Sequence, residues 1–442
     1  MTAIPVIRSD DPLDDPAVLA VRDRLRGGGV TAEGAGARLD VPAIVREILA
    51  DVQARGDAAL LERTAAIDGV DLADTGLAVP ADAIAAAHAA ADREFLALIR
   101  RAAANIREYQ QAILVADPPP VQRGGRTLGV RYTPVDRAAV YVPGGRAIYP
   151  STVLMTVVPA QVAGVGQLAL FSPPTCDGDV HPLVLALAGE LGIDEVYRLG
   201  GALAVAAAAF GSETVRPVDM VVGPGNAFVA EAKRQVVGRV GIDSVAGPSE
   251  VLIVADQTAR AEWIAADLLS QAEHAPGSAV LVTPASELAE KVRSALADQL
   301  ATLSRAEATA AALAENSAIV VVADLDTACA VANDFATEHL QIVTAEDEAC
   351  LARIRHAGAA FLGAHTPVAM GDYYAGPSHV LPTGGTARFF GPLSCNDFRK
   401  ATSTLRYGPA DLDADADDVT AFANAEGLTA HAASVAMRKG EA

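Results

Sequence analysis

Between Arg137 and Leu362 the chain alternates short β-rich runs with Ala-rich stretches of helical length, and this alternation constrains the fold more than any other feature. A first series comprises "AAVYVPGG", "QLALFSPP", "EVYRLGG" and "DMVVGPGN", several ending in Gly or Pro. A second comprises "EVLIVAD", "AVLVTP", "AIVVVAD", "HLQIVT" and "AAFLG", with helical segments such as 259–274 and 285–303 between them. Repeated strand–helix–strand units predict parallel sheets covered by helices. The fold class expected is therefore α/β: two Rossmann-like but incomplete domains, open to reading as a duplication, with small helical terminal segments.

The flanks differ. The first 110 residues read as mainly helical, with "ADAIAAAHAAADREFLALIRRAAANI" as the clearest stretch, and the segment after "YYAGPSHVLPTGG" changes character and ends in helical patterns. That last part is expected to form a small tail domain. The acidic run at 411–418 reads as a solvated loop leading into a helix.

Charge and length exclude several functions. With 55 acidic against 34 basic residues and a net charge of -21, the chain has no basic cluster to follow a phosphate backbone, so nucleic acid is not an expected partner. The acidic N-terminus lacks a secretory pattern, and the longest apolar runs fall short of the roughly 20 residues that span a bilayer, so a cytoplasmic protein with no membrane partner is expected. Cys176, Cys329, Cys350 and Cys395 form no C-x-x-C pair and read as reduced, mostly buried thiols.

Ligand-binding positions follow from the strand ends. "GVGQLA" at 164–169 fits G-x-G-x-x-A, but it follows a helix and precedes a strand, the reverse of the dinucleotide order. "VPGG" (142–145), "LGG" (199–201) and "GPGN" (223–226) instead sit at C-terminal strand ends, where open α/β sheets collect ligands. Asn226 could cap the next helix or donate to a ligand.

In "ARAEWIAADLLSQAEH", Ile264, Leu268 and Gln271 share a buried stripe, and His274 lies one turn beyond Gln271. Alone, such a pair is more often a satisfied structural hydrogen bond than a ligand set. Of eight histidines, three more stand near acids or in Gly/Pro loops: "TEHLQ" (Glu338, His339), "GDYYAGPSH" (Asp372, His379) and "AEGLTAH" (Glu426, His431). Imidazoles, an amide oxygen and carboxylates together suit a borderline ion such as Zn²⁺.

The segment 242–274, "IDSVAGPSEVLIVADQTARAEWIAADLLSQAEH", closely resembles the signature of the histidinol dehydrogenase family, and "VPGG", "GPGNAFVAEAKRQV", "EHL" and "GDYYAGPSHVLPT" match it in order. The resemblance spans nearly the whole chain. It implies a homodimeric zinc enzyme of histidine biosynthesis that oxidises L-histidinol through the aldehyde to L-histidine with two NAD⁺. It implies Gln271, His274, Asp372 and His431 as zinc ligands that also hold substrate, and Glu338 and His339 as the acid/base pair, His339 touching substrate. Ser249 and Glu426 would contact substrate polar groups, and Tyr141 and Asn226 would contact NAD. Many relatives place a glutamine after "LGG" to touch NAD. Here Leu203 stands, which cannot make that hydrogen bond. The implied division is an N-terminal arm (1–32), a discontinuous zinc domain (33–135 and 247–381), an inserted NAD domain (136–246), and a tail (382–442) reaching the partner's site.

The chemistry accounts for these residue types. Histidinol offers an imidazole nitrogen and an amine, which a four-liganded zinc could take by expanding its coordination, so the metal would mainly position substrate. An imidazole titrating near neutrality suits the hydroxyl proton, and Glu338 suits activation of water on the aldehyde. Neighbours on a regular strand face opposite ways, so Glu338 and His339 must occupy the turn before "LQIVT" to share a site. The alternative is a zinc hydrolase using Glu338 with a metal-bound water. A thiol-dependent aldehyde dehydrogenase and a non-catalytic metal-binding protein complete the set.

Overall fold

The strands of both series form, and each series makes its own parallel sheet. A computed structural model describes residues 4–27, 33–34, 37–144, 149–175, 177–274 and 277–440. The first series gives a five-stranded sheet in the order Gly241–Ile242, Met220–Val222, Arg137–Tyr141, Gln167–Ser172, Val196–Arg198. The second gives a six-stranded sheet in the order Val6–Arg8, Ala318–Val321, Gly277–Thr283, Ser249–Ala255, His339–Val343, Ala359–Leu362. Parallel sheets are stable only with both faces covered. Helices cover both faces of each, and Val251, Leu252, Ile253 and Val254 are fully buried along one central strand.

In each sheet the chain winds outward through three strands and then returns beside the first. The return places Met220–Val222 against Arg137–Tyr141, and His339–Val343 against Ser249–Ala255. These are topological switch points, where connections leave in opposite directions and open a crevice. The reversed order of "GVGQLA" is also as expected, since the helix Pro150–Ala163 precedes it and the strand Gln167–Ser172 follows.

Residues 41–113 form four helices that pack on the five-stranded sheet: Val41, Val45 and Leu60 on one face, Ile84, Ile99 and Ile106 on the other. The N-terminal arm supplies the edge strand Val6–Arg8 and a helix, Pro16–Gly27, to the six-stranded sheet. Sequence alone could not assign these helices, because an apolar stripe does not name the surface it covers.

The tail pairs its strand Arg399–Arg406 antiparallel with Arg126–Pro134 and continues into the helices Pro409–Ala425 and Thr429–Ala436. The acidic run expected as a loop lies within the first of these helices, anchored where Arg126 donates to Asp415 at 2.8 Å. No helix among the described residues is long and apolar enough to cross a membrane.

Phe398 fastens the tail to the core of the five-stranded sheet: it is fully buried, and its carbonyl accepts from Val135 N–H at 2.9 Å. Phe398→Ala should destabilise the fold by about 3–5 kcal/mol, the usual cost of emptying an aromatic core position, read as a lower urea midpoint.

Candidate functional site

The carboxyl edge of the five-stranded sheet faces the amino edge of the six-stranded one, and two cavities that share Pro143 and Asn226 occupy the junction. The larger, about 1020 Å³, is lined by strand-end residues including Tyr141, Pro173, Gly200, Leu203 and Asn226. Two ten-residue helices, Gly201–Phe210 and Ala227–Val236, begin beside it. The dipoles of these helix N-termini suit a pyrophosphate. Tyr141 is buried, its hydroxyl accepts from Gly201 N–H at 3.2 Å, and burial pushes its phenol up to about 12. Asn226 is a helix cap, its side-chain oxygen accepting from Phe228 and Val229 N–H at 3.0 and 3.2 Å. Capping and lining coexist, because only the oxygen is engaged in the cap.

The loop carrying Asn226 is held by a buried ion pair that the sequence did not disclose. Lys233 and Asp243 contact each other, and between them they grip one residue: Gly223 N–H donates to Asp243 at 2.7 Å and Gly223 C=O accepts from Lys233 at 3.1 Å. Gly223 has φ +117°, and a Cβ there would lie 2.2 Å from the Tyr141 carbonyl oxygen, so only glycine fits.

The smaller cavity, about 320 Å³, is lined by Ser249, His274, Glu338, His339, Asp372 and His379 among others. His339 is the first residue of its strand and Glu338 lies in the bend before it, so the adjacent pair escapes strand alternation and both reach the cavity. Ser249, first residue of the neighbouring strand, donates its hydroxyl to Glu338 Oε2 at 2.6 Å. His339 Nδ1–H donates to the Glu250 carbonyl at 3.1 Å, which leaves Nε2 as the working nitrogen. That Nε2 is buried without a hydrogen-bond partner among the described residues, with Asp372 at 3.6 Å as a charge contact.

Electrostatics tie the group together. Burial disfavours the imidazolium of His339, but the carboxylates of Glu338 and Asp372 outweigh it and push the group up to about 9. Burial likewise raises the Glu338 carboxyl above its ordinary range, against the opposing pull of His339 and Ser249. His379 is lowered by burial, and its Nδ1–H donates to the Asp372 carbonyl at 2.9 Å, supporting that residue from behind.

Three of the four expected metal ligands lie in this region. Gln271 is buried under the helix end, and its Nε2 is sealed from solvent with no hydrogen-bond partner among the described residues. His274 Nδ1–H donates to the Gln271 carbonyl at 3.2 Å, leaving Nε2 for a ligand, and Asp372 borders the same cavity. A neutral carboxamide oxygen, an imidazole nitrogen and a carboxylate are donor types that fit a zinc ion. Among the described residues no group of three His, Cys, Asp or Glu is placed to hold a metal. Glu426 and His431 are not brought to this cavity. Both stand exposed on the tail helices.

The remaining four histidines lie elsewhere: His88 meets Glu190, His365 packs on Trp263, His181 caps a helix beside the larger cavity, and His356 lines a separate surface pocket with Arg388. Cys329, Cys350 and Cys395 are buried thiols away from both cavities, whereas Cys176 and Gly145 of "VPGG" lie outside the described residues. Sequence reasoning also missed Glu250, although an acid heading the apolar run "VLIVA" was a visible signal.

The histidinol dehydrogenase family model matches residues 33–439. The chain belongs to that family. It is 47% identical to the histidinol dehydrogenase of Rhodopirellula baltica, covering 99% of this chain and 97% of that one. It is 50% identical to the Geobacillus kaustophilus relative, covering 90% and 94%. The crystal structure of histidinol dehydrogenase from Elizabethkingia anophelis superposes with a TM-score of 0.89 at 32% identity, covering 99% and 98%.

Lys233→Met should leave Asp243 buried without its partner. The expected cost is about 3–5 kcal/mol, read in thermal unfolding.

Proposed function

We propose that this protein is a zinc-dependent oxidoreductase that oxidises L-histidinol, through L-histidinal, to L-histidine with two NAD⁺, as the last step of histidine biosynthesis in the cytoplasm. The carrying observation is the convergence of Ser249, His274, Glu338, His339 and Asp372 on one cavity that shares Pro143 and Asn226 with a second. A hydrolase would have no use for the second cavity. A thiol mechanism finds no cysteine at the first among the described residues.

Gln271, His274 and Asp372 would hold the zinc, with His431 contributed by the tail of a second chain. Zinc, when bound, supplies a fixed point for the substrate imidazole and amine. His339 Nε2, kept free by the Nδ1 hydrogen bond, takes the hydroxyl proton as hydride leaves for NAD⁺. Glu338 then takes a proton from the water that attacks the aldehyde. The resulting hydrate gives its second hydride to a fresh NAD⁺ and its proton again to His339. Tyr141 and Asn226 would contact the dinucleotide. Leu203, buried on the cavity wall, contributes surface there and no hydrogen bond. A cation engaged by Asp372 would cancel part of the pull that raises His339, easing its work as a base.

Glu426 and His431 would complete the site of a partner in a homodimer. Their exposure on a tail carried by the strand Arg399–Arg406 supports this reading.

With limiting L-histidinol and excess NAD⁺ at mildly alkaline pH, two NADH and one L-histidine should form per histidinol, and prolonged chelation should stop turnover until zinc is restored. One NADH with aldehyde accumulating, or full activity in metal-free protein verified by elemental analysis, would contradict the reading. A second experiment tests the shared site. Remixing His274→Asn with His431→Asn chains makes about half the dimers mixed, each with one intact site, so activity should recover to roughly a quarter of wild type. No recovery after verified exchange would place His431 in its own chain's site.

A further inference from the structure

Glu250 is a carboxylic acid where a strand should carry an apolar residue. It is 2% exposed and precedes Val251, Leu252, Ile253 and Val254, all fully buried. A buried acid without a task is costly. Burial and the charge of Glu338 push its carboxyl up to about 8, so near neutrality it is held mostly as the uncharged acid.

Four hydrogen bonds tie it to the reaction cavity. Its main-chain N–H donates to Glu338 Oε2 at 2.9 Å, and its main-chain carbonyl accepts from His339 Nδ1 at 3.1 Å. Its side-chain Oε1 accepts from Glu338 N–H at 3.2 Å and from Gly384 N–H at 2.9 Å. Any residue could supply the first two bonds. The last two require a side-chain acceptor of this length.

We propose that the Glu250 side chain is a positioning residue for the Glu338–His339 pair. It fixes the bend that lets two consecutive residues face one cavity, and it joins that bend to the cavity wall at Leu381 and Thr383. The peptide before Glu338 is held through its N–H by Glu250, and the following peptide through its C=O, which accepts from Ala359 N–H at 2.8 Å. Gly384 has φ +63°, and its N–H anchors the wall segment whose Thr383 hydroxyl accepts from Gly247 N–H, just before Ser249. Without Oε1, the Glu338 and Gly384 N–H groups would be buried and unpaired, a state relieved only by moving the bend or the wall. Glu338 would then lose its bond to Ser249, and His339 its tautomer-setting contact.

The inference rests on the reading of Glu338 and His339 as the acid/base pair, and the test keeps the two apart. Steady-state kinetics would be measured with L-histidinol and with added L-histidinal on wild type, Glu250→Ala, Glu250→Asp and Glu250→Gln, with zinc content and Tm for each. Positioned acid/base groups contribute about 10²–10⁴-fold, so Glu250→Ala should lose roughly 30-fold or more in kcat on both substrates, with KM changed less than about threefold and zinc retained. Glu250→Gln keeps an acceptor of the same length in an uncharged group and should stay within about threefold of wild type, whereas the shorter Glu250→Asp should lose roughly tenfold. A merely structural side chain would lower Tm without that rescue and without a kcat-selective loss. A folded Glu250→Ala with wild-type kcat overturns the proposal, as does Glu250→Gln impaired as deeply as Glu250→Ala at equal Tm. If Glu250→Ala does not fold, the Asp and Gln pair decides, and equal kcat in both overturns it. Wild type that does not oxidise histidinol would instead remove the functional reading.

Discussion

The parallel pairing of Ser249–Ala255 with His339–Val343 is the interaction on which the site depends. Its register sets Val251 opposite His339, so Ser249 and Glu250 enter the sheet beside Glu338. Ser249 Oγ, Glu250 N–H and Glu250 C=O then meet Glu338 and His339 with no loop rearrangement. A parallel ladder in a sheet covered on both faces has little freedom to slip, because a one-residue shift would turn every buried side chain. The catalytic geometry thus inherits its rigidity from the hydrophobic core.

A second consequence follows from how the sheets face each other. Ligands of open α/β sheets ordinarily lie at carboxyl ends, and the five-stranded sheet obeys that rule through Tyr141, Pro143 and Asn226. The six-stranded sheet presents its amino end, where Ser249 and His339 begin their strands. One sheet offers helix N-termini suited to a dinucleotide, while the other offers titratable side chains for proton transfer. The two cavities share a border at Asn226.

Much of this was legible from residues in order. The strand ends marked "LGG" and "GPGN" as cavity-lining, and adjacency required a break in strand alternation at Glu338 and His339, although only Glu338 leaves the strand and His339 begins it. The division of cores was not legible: Val41, Val45 and Ile48 form a stripe that would suit either sheet, and only packing assigned it to the five-stranded one. Lys233, Asp243 and Glu250 escaped for a related reason. A charged residue in a sequence reads as solvated unless its partner is known, and these partners lie on other elements or across a strand pairing.

Composition, periodicity and the 33-residue segment 242–274 determined the α/β class, the family resemblance and the residue types available for chemistry. Those properties are local, since strand length, helix period and motif spacing are written along the chain. Tertiary structure alone decided that Ser249, His274, Glu338, His339 and Asp372 share one cavity, and that Glu426 and His431 stand outside it. Convergence is set by where the chain crosses back beside its first strand and by which sheet edge faces which. Neither leaves a mark on the order of residues.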